Sequence, residues 1–283
     1  MAEKTEISWT DSTANFWWGC FKVSPGCKNC YAETLSHRFG KNIWGPVATT
    51  DRELKENIWK ELPKWNAKAK ADGVRRRVFV QSMSDFFEDH PQVVETRLRA
   101  MRLIEELDGL DFLILTKRPE NVRAMAIRWL GFGFPENVWI GTSVENQEMA
   151  NKRIPELLEI PAKVRFLSME PLLGSVDLTI GLGGADGTGL GGYGLRSAID
   201  WVIVGGESGH HDRETYPEWV RAIRDQCQAA GVPFFFKQWG DAKPDVLEVR
   251  AWERAGRNFS AKKGGRILDG REWSEFPVVE VTK

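Results

Sequence analysis

The sequence predicts an α/β fold: a partial or complete (β/α) TIM-like barrel of about six to seven parallel strands with a C-terminal extension. Three observations predict it. Short apolar runs recur along the chain, most lead into helix-like sequence, and each ends in polar residues. Continuous apolar strands alternating with helices mean a parallel sheet covered on both faces. At 283 residues the chain is long enough, since α/β barrels of roughly 200–250 residues fold as one domain. The doubly wound open sheet is the alternative.

A strand near 15–19 leads into the loop "GCFKVSPGCKNCYAE" (19–33). "RVFVQSMSDFF" (77–87) gives a strand over 78–80 followed by Ser82, Ser84 and Asp85. Pro91 then opens a helix to about Leu107, with Val94, Leu98, Met101 and Leu107 at helical spacing. "DFLILTKRPEN" gives a strand over 112–115, then Thr116, Lys117 and Arg118, and Pro119 starts the next helix. "NVWIGTSVENQ" gives 138–140 followed by Ser143 and Glu145, and "KVRFLSMEPLL" gives 164–167 followed by Ser168 and Glu170. "DWVIVGGESGHH" gives 201–204 with Glu207 and His210 beyond it. "VPFFFKQWGD" gives 233–236 with Lys237 and Gln238 beyond it. In a barrel, the residues past each strand's C-terminal end converge on one mouth. These polar clusters are therefore the candidate site; otherwise they are ordinary polar loop residues.

Residues 1–240 are read as the barrel, with insertions at 40–76 and 181–194. Residues 241–283 are read as an extension packed on it, irregular or hairpin. The first insertion is expected to be partly helical, and "VRRR" (74–77) to be a solvated lead-in to a strand or a phosphate contact. "GLGGADGTGLGGYG" (181–194) lacks the Lys-Ser/Thr ending of a phosphate loop. It reads as a flexible surface insertion, or as a lid over the mouth.

Three of the four cysteines stand within eleven positions, as C-x6-C-x2-C at Cys20, Cys27 and Cys30. A disulfide framework is one reading, but three is odd and no signal-peptide core opens the chain. A structural zinc site with His37 as fourth ligand is a second reading. The third is a [4Fe–4S] cluster, whose irons are held by cysteine thiolates, with one iron left open for a small ligand. Pro25-Gly26 supplies the turn that returns Cys20 toward Cys27. Cys227 falls on the stripe Trp219, Ile223, Cys227 of a helix between Pro217 and Gly231, and reads as core.

The net charge of −1 gives no overall basic field for nucleic acid, although 39 Lys and Arg leave room for a local groove. No apolar run reaches the length of a membrane span, and a cytoplasmic protein with reduced thiols and no membrane contact is expected. The 13 tryptophans suit a core or flat ligands equally.

The cysteine loop, with "SMSDFF", "LTKRPEN", "GTSVEN", "SMEPLLG", "VIVGGESG", "FFKQWG" and "GRILDGREW", resembles the phage Gp37/Gp68 family (DUF5131) from near Trp9 to about Phe276. That resemblance implies a radical S-adenosylmethionine (SAM) enzyme. A partial TIM barrel would carry a [4Fe–4S] cluster on Cys20, Cys27 and Cys30, and the open iron would chelate SAM. The first gap departs from the commonest C-x3-C-x2-C spacing, while the second gap and Tyr31 match it. Tyr31 is expected to shield the cluster or its ligand. "GGES" follows a late strand, so the amine-binding role of a Gly-Gly-Glu run is not carried over to it. By strand order, Ser82, Ser84 and Asp85 are the candidates for the methionyl amine, Lys117 or Arg118 for the SAM carboxylate, and Ser143 and Glu145 for the ribose hydroxyls. Glu170, Glu207 and Lys237 are the candidate catalytic residues, with His210 and Gln238 beside them. The implied substrate is a nucleic acid base or nucleotide, in modification or repair. The implied partners are a reductant such as flavodoxin or ferredoxin and a three-Cys-motif partner protein. Two rivals stand beside this: a zinc-stabilised nucleic-acid-binding or interaction protein, and a barrel hydrolase using Glu170 and Glu207.

Overall fold

A computed structural model describes residues 3–179, 199–209, 212–240 and 265–279. The glycine-rich stretch 181–194, His210 and residues 241–264 lie outside the described residues. The strands are β1 (Ser12–Ala14), β2 (Trp17–Trp18), β3 (Glu53–Leu54), β4 (Arg76–Val80), β5 (Leu110–Thr116), β6 (Val138–Ser143), β7 (Val164–Met169), β8 (Trp201–Gly205), β9 (Phe234–Gln238), β10 (Ile267–Leu268) and β11 (Arg271–Glu272). The helices are α1 (Tyr31–Arg38), α2 (Ile58–Asp72), α3 (Val94–Glu106), α4 (Pro119–Met125), α5 (Ile127–Phe132), α6 (Gln147–Leu158) and α7 (Pro217–Ala230).

Seven strands form one sheet in the order β1-β4-β5-β6-β7-β8-β9. The pairs β1–β4, β4–β5, β5–β6, β7–β8 and β8–β9 are parallel. The fold is α/β as expected, with strands succeeding one another in chain order. A doubly wound sheet would reverse that order. Among the described residues no helix is long and apolar enough to cross a membrane.

The chain divides into two compact units: Met1–Thr142 with Ile160–Lys163, and Ser143–Glu159 with Val164–Lys283. In the first, Val78, Phe112 and Val138 stand in register and are fully buried. The edge strand β1 lies a little before the expected 15–19. Its signal is hidden because Ser12 and Thr13 are buried polar residues. Ser12 Oγ, for example, donates to the Glu3 carbonyl at 2.7 Å. The apolar run that drew the expectation is β2, which pairs antiparallel with β3. Helix α3 also shifts. Pro91–Val93 make a 3-10 turn, and the α-helix buries Arg97, Ala100, Met101 and Ile104, leaving Val94 exposed. The arginines of "VRRR" face carboxylates, Arg75 on Asp111, Arg76 on Asp72 and Arg77 on Asp11.

In the second unit, α7 has Pro217 in its first turn and Gly231 as a left-handed cap at φ 68°. Its buried stripe is Val220, Ile223 and Cys227, with Trp219 half-buried beside it. Burial pushes the Cys227 thiol up to about 12, as for an inert core thiol. The described part of the tail forms the β10–β11 hairpin, whose turn Asp269-Gly270 has φ of 52° and 81°. Both positive angles are what a two-residue hairpin of the Asp-Gly kind requires. Beyond it, Phe236 N–H donates to the Trp273 carbonyl and Glu275 N–H to the Phe234 carbonyl, so the tail pairs along β9.

Ile223→Ala should cost about 2–5 kcal/mol by removing a fully buried side chain. Trp219→Ala, at a half-buried position, should cost less than a typical buried tryptophan. Urea unfolding of both variants checks the ranking.

Candidate functional site

The cysteine loop is fixed at its entrance by the segment that follows β4. Gln81 Oε1 accepts the Phe16 and Trp17 N–H groups at 2.6 and 3.2 Å. Asn15 Oδ1 accepts the Met83 N–H at 2.8 Å, and its Nδ2 donates to Ser82 Oγ at 3.0 Å. Ser84 Oγ donates to the Trp17 carbonyl at 3.0 Å. Gly19 has φ 108°, and a Cβ there would stand 2.4 Å from the Ile43 carbonyl, so only glycine passes. Cys20 then bridges Trp44 in parallel fashion. Cys27 closes the 3-10 turn Pro25–Cys27, and Cys30 occupies the N-cap of α1. Cys20 and Cys30 pack against one cluster of Ala32, Trp44 and Met83. Tyr31 ties the loop's far end down, its hydroxyl donating to the Ser82 carbonyl at 2.7 Å.

Behind Cys20 lies a dry charge network. Arg118 Nη1 donates to Asp85 Oδ2 at 2.7 Å and lies 3.7 Å from Cys20 Sγ, while Nη2 donates to the Phe21 carbonyl at 2.7 Å. Asp85 also accepts from Thr116 Oγ1 at 2.6 Å, Lys117 N–H at 2.9 Å and Phe87 N–H at 3.0 Å. Burial pushes the Asp85 carboxyl up, but Arg118 and these three donors outweigh it and hold it below its ordinary value. Glu88 takes a two-pronged ion pair from Arg52 at 2.8 and 2.9 Å, both side chains being essentially inaccessible. Arg52 in turn donates to the Thr50 and Gly45 carbonyls, which holds the strip that Cys20 bridges.

Burial, then the Glu88 charge, pushes Cys20 up to about 12 against the pull of Arg118. Burial raises Cys30 too, opposed by the Glu33 N–H, Lys117 and the Ala32 N–H. Cys27 Sγ lies 3.7 Å from Ser24 Oγ. Among the described residues, no three His, Cys, Asp or Glu side chains are grouped to hold a single metal ion. His37 is exposed near the end of α1, seven residues from Cys30, about 10 Å along the helix axis at 1.5 Å per residue.

The other sequence-selected residues belong to the second unit. Ser143 ends β6 and its carbonyl accepts from Arg153 Nη1 at 2.8 Å, as does Glu145 Oε2 at 2.8 Å. Glu145 and Arg153 are both buried. Lys237 Nζ donates to both Glu170 oxygens at 2.6 and 2.8 Å. Gln238 Nε2 donates to Glu170 Oε1 at 3.2 Å and to Ser208 Oγ at 2.6 Å. Gly205 leaves room for this group, since a Cβ there would stand 3.2 Å from the Glu170 carboxyl carbon. Glu207 instead pairs with Arg213 through both oxygens. The glycines of "GGES" serve backbone approach: a Cβ on Gly206 would overlap the Trp239 carbonyl. The structure thus gathers Ser82, Ser84, Asp85, Arg118 and Tyr31 about the loop, and separately Glu170, Lys237 and Gln238. Sequence reasoning missed Asn15, Arg52, Gln81, Glu88 and Arg153. Glu88, three residues after Asp85 in "SDFFED", was the one with a local signal.

Fold and loop together define a class: an α/β protein of the (β/α) succession with a three-cysteine loop after its first sheet strand. A family model described as "Protein of unknown function (DUF5131)" matches residues 4–277, and the chain belongs to that family. No curated protein matches the chain. No solved structure matches it.

Removing one partner of the Arg52–Glu88 pair should cost about 3–5 kcal/mol, because the other charge is left buried alone. Glu88→Gln and Arg52→Met should each show that loss in urea unfolding, and the double variant Arg52→Met with Glu88→Leu less than their sum. Asp85 predicts an acid limb. Its folded value lies below the ordinary 3.8, so its contribution is whole above 3.8 and is lost as pH falls through the folded value. Stability of Asp85→Asn, measured from neutral pH to below 3.8, should fall less steeply than that of the parent.

Proposed function

We propose that this chain is a radical SAM enzyme in which Cys20, Cys27 and Cys30 hold a [4Fe–4S] cluster. The observation that carries the reading is the presentation of three thiols from three different backbone features of one loop, with no fourth thiol beside them: a bridge at Cys20, a 3-10 turn at Cys27 and a helix N-cap at Cys30. Cys227, the remaining thiol, is buried in α7. A cubane takes one thiolate per iron, so its sulfurs need not converge on a point as zinc ligands must.

The donor chemistry fits. Arg118 faces Cys20, and the Ala32 and Glu33 N–H groups with the Lys117 charge act on Cys30, so these two sulfurs have partners for the negative charge of a ligating thiolate, while Cys27 has the Ser24 hydroxyl beside it. When bound, such a cluster supplies the electron that splits a carbon–sulfur bond of SAM. In this reading Lys117, the cation at the end of β5 whose charge already acts on Cys30, meets the SAM carboxylate, and Arg118 is engaged by Asp85 and Phe21. Tyr31 and Ser82 line the loop's open side, Tyr31 being half-exposed. Glu170 and Lys237, partly exposed and joined to each other, handle protons on a nucleobase or nucleotide substrate. A one-electron donor such as flavodoxin or ferredoxin completes the system.

Anaerobic purification should give a brown protein with about four irons per chain and matching sulfide. The colour should be lost in Cys27→Ala, and reduced protein given SAM should release 5′-deoxyadenosine. A colourless protein holding one zinc per chain would refute the proposal and favour the zinc-stabilised module.

A further inference from the structure

Arg118 is held more tightly than a strand-end salt bridge needs. The Asp85 carboxylate that grips it is itself fixed by three donors. Thr116 Oγ1, one of those donors, also accepts the Arg118 N–H at 2.9 Å, which closes a ring through strand end and side chain. Both charged groups are less than a tenth exposed. A guanidinium is planar, with its N–H groups in a rigid fork, so gripping one part of it aims the rest. Besides Glu88 at 3.8 Å, what remains is aimed at the cysteine loop: the Phe21 carbonyl at 2.7 Å and Cys20 Sγ at 3.7 Å. Cys27 has a neutral serine hydroxyl beside it and Cys30 a helix N-terminus, so Cys20 is the sulfur with a guanidinium in contact.

We infer that Arg118, clamped by Asp85, is a positioning residue for Cys20: it fixes the Cys20–Phe21 backbone, donates a hydrogen bond to the ligating sulfur, and sets how readily a cluster held there accepts an electron. The inference rests on the radical SAM reading. It differs from the sequence-based assignment of Asp85 and Arg118 to SAM itself. One-electron reduction adds negative charge to the cluster. The Arg118 charge, which offsets the Asp85 and Glu88 carboxylates beside it, and its hydrogen bond to a ligand sulfur both favour that state, and both are levers on iron–sulfur potentials. The low dielectric around the pair keeps the effect from being screened.

The test is a potentiometric titration of reconstituted protein with dithionite as the one-electron reductant, read by electron paramagnetic resonance. In Arg118→Gln the equilibrium constant for reduction should fall at least tenfold, a potential lower by about 59 mV for a one-electron couple. Arg118→Lys keeps the charge without the fork and should fall by less. It also carries the titration if the glutamine variant does not fold. An unchanged potential in the variants overturns the inference. Hydrogen exchange on the metal-free chain gives a readout independent of the cluster. The peptide over 20–30 should exchange about tenfold faster in either variant, while β5 and β6 keep their rates, since about 1.4 kcal/mol of local fixing corresponds to that factor. Unchanged exchange of 20–30 also overturns the inference. If the parent protein takes up no cluster, the enzyme reading fails, and the exchange result alone decides whether Arg118 fixes the loop.

Discussion

Two buried ion pairs, Arg52–Glu88 and Asp85–Arg118, constrain how three segments of the first unit meet. Arg118 Nη2 stands 3.8 Å from Glu88, so the pairs are one network. Four charges with almost no access to water must satisfy one another, because leaving any one alone costs several kcal/mol. The segments that carry them are thereby compelled to meet: the strip before β3, the stretch after β4 and the end of β5. Such a network adds little net stability over a well-packed apolar equivalent. What it supplies is a single arrangement. The hydrogen bonds it makes to the Gly45, Thr50 and Phe21 carbonyls fix the backbone on which Cys20 stands.

The cysteine loop inherits its geometry from this frame. Its entrance passes Gly19, where any side chain would strike Ile43 and Arg52. Its exit is a helix N-cap, pinned by the Tyr31 hydroxyl to the end of β4. Between them the sulfurs are reached by different means, and their surroundings differ accordingly. The half-buried Cys20 thiol beside a guanidinium and the Cys30 thiol at a helix N-terminus are both raised by desolvation, while Arg118 and the N–H groups at the start of α1 pull the other way. That combination suits a ligand better than a reactive nucleophile, which needs a depressed thiol value and open access.

The second unit follows the same logic with different residues. Gly206 and Gly240 let the ends of β8 and β9 meet backbone to backbone, and Glu207 turns to Arg213. The Glu170 carboxylate meets Lys237 and Gln238 where Gly205 leaves space. Glu145, by contrast, is buried against Arg153 of α6, so its burial describes packing as much as chemistry.

The sequence by itself determined the local grammar. Apolar runs set six of the seven sheet strands to within a few residues. Pro119, Pro217 and Gly231 marked helix ends through fixed φ, a missing donor and a left-handed cap. The tail was legible only as irregular or hairpin, and the cysteine spacing marked the loop. These are short-range effects, decided by neighbours a few positions apart. Strand β1 escaped because its buried side chains are polar and reveal themselves only through distant hydrogen bonds. The stripe of α3 shifted because the turn at Pro91 delayed the helix. Tertiary structure alone decided the partners of the charges. Arg52 meets Glu88 across 36 positions, Glu170 meets Lys237 across 67, and Arg118 reaches Cys20 across 98. Nothing local distinguishes those carboxylates and cations from solvated ones. Strand order and register bring them together, and the low dielectric of the interior then requires that they pair.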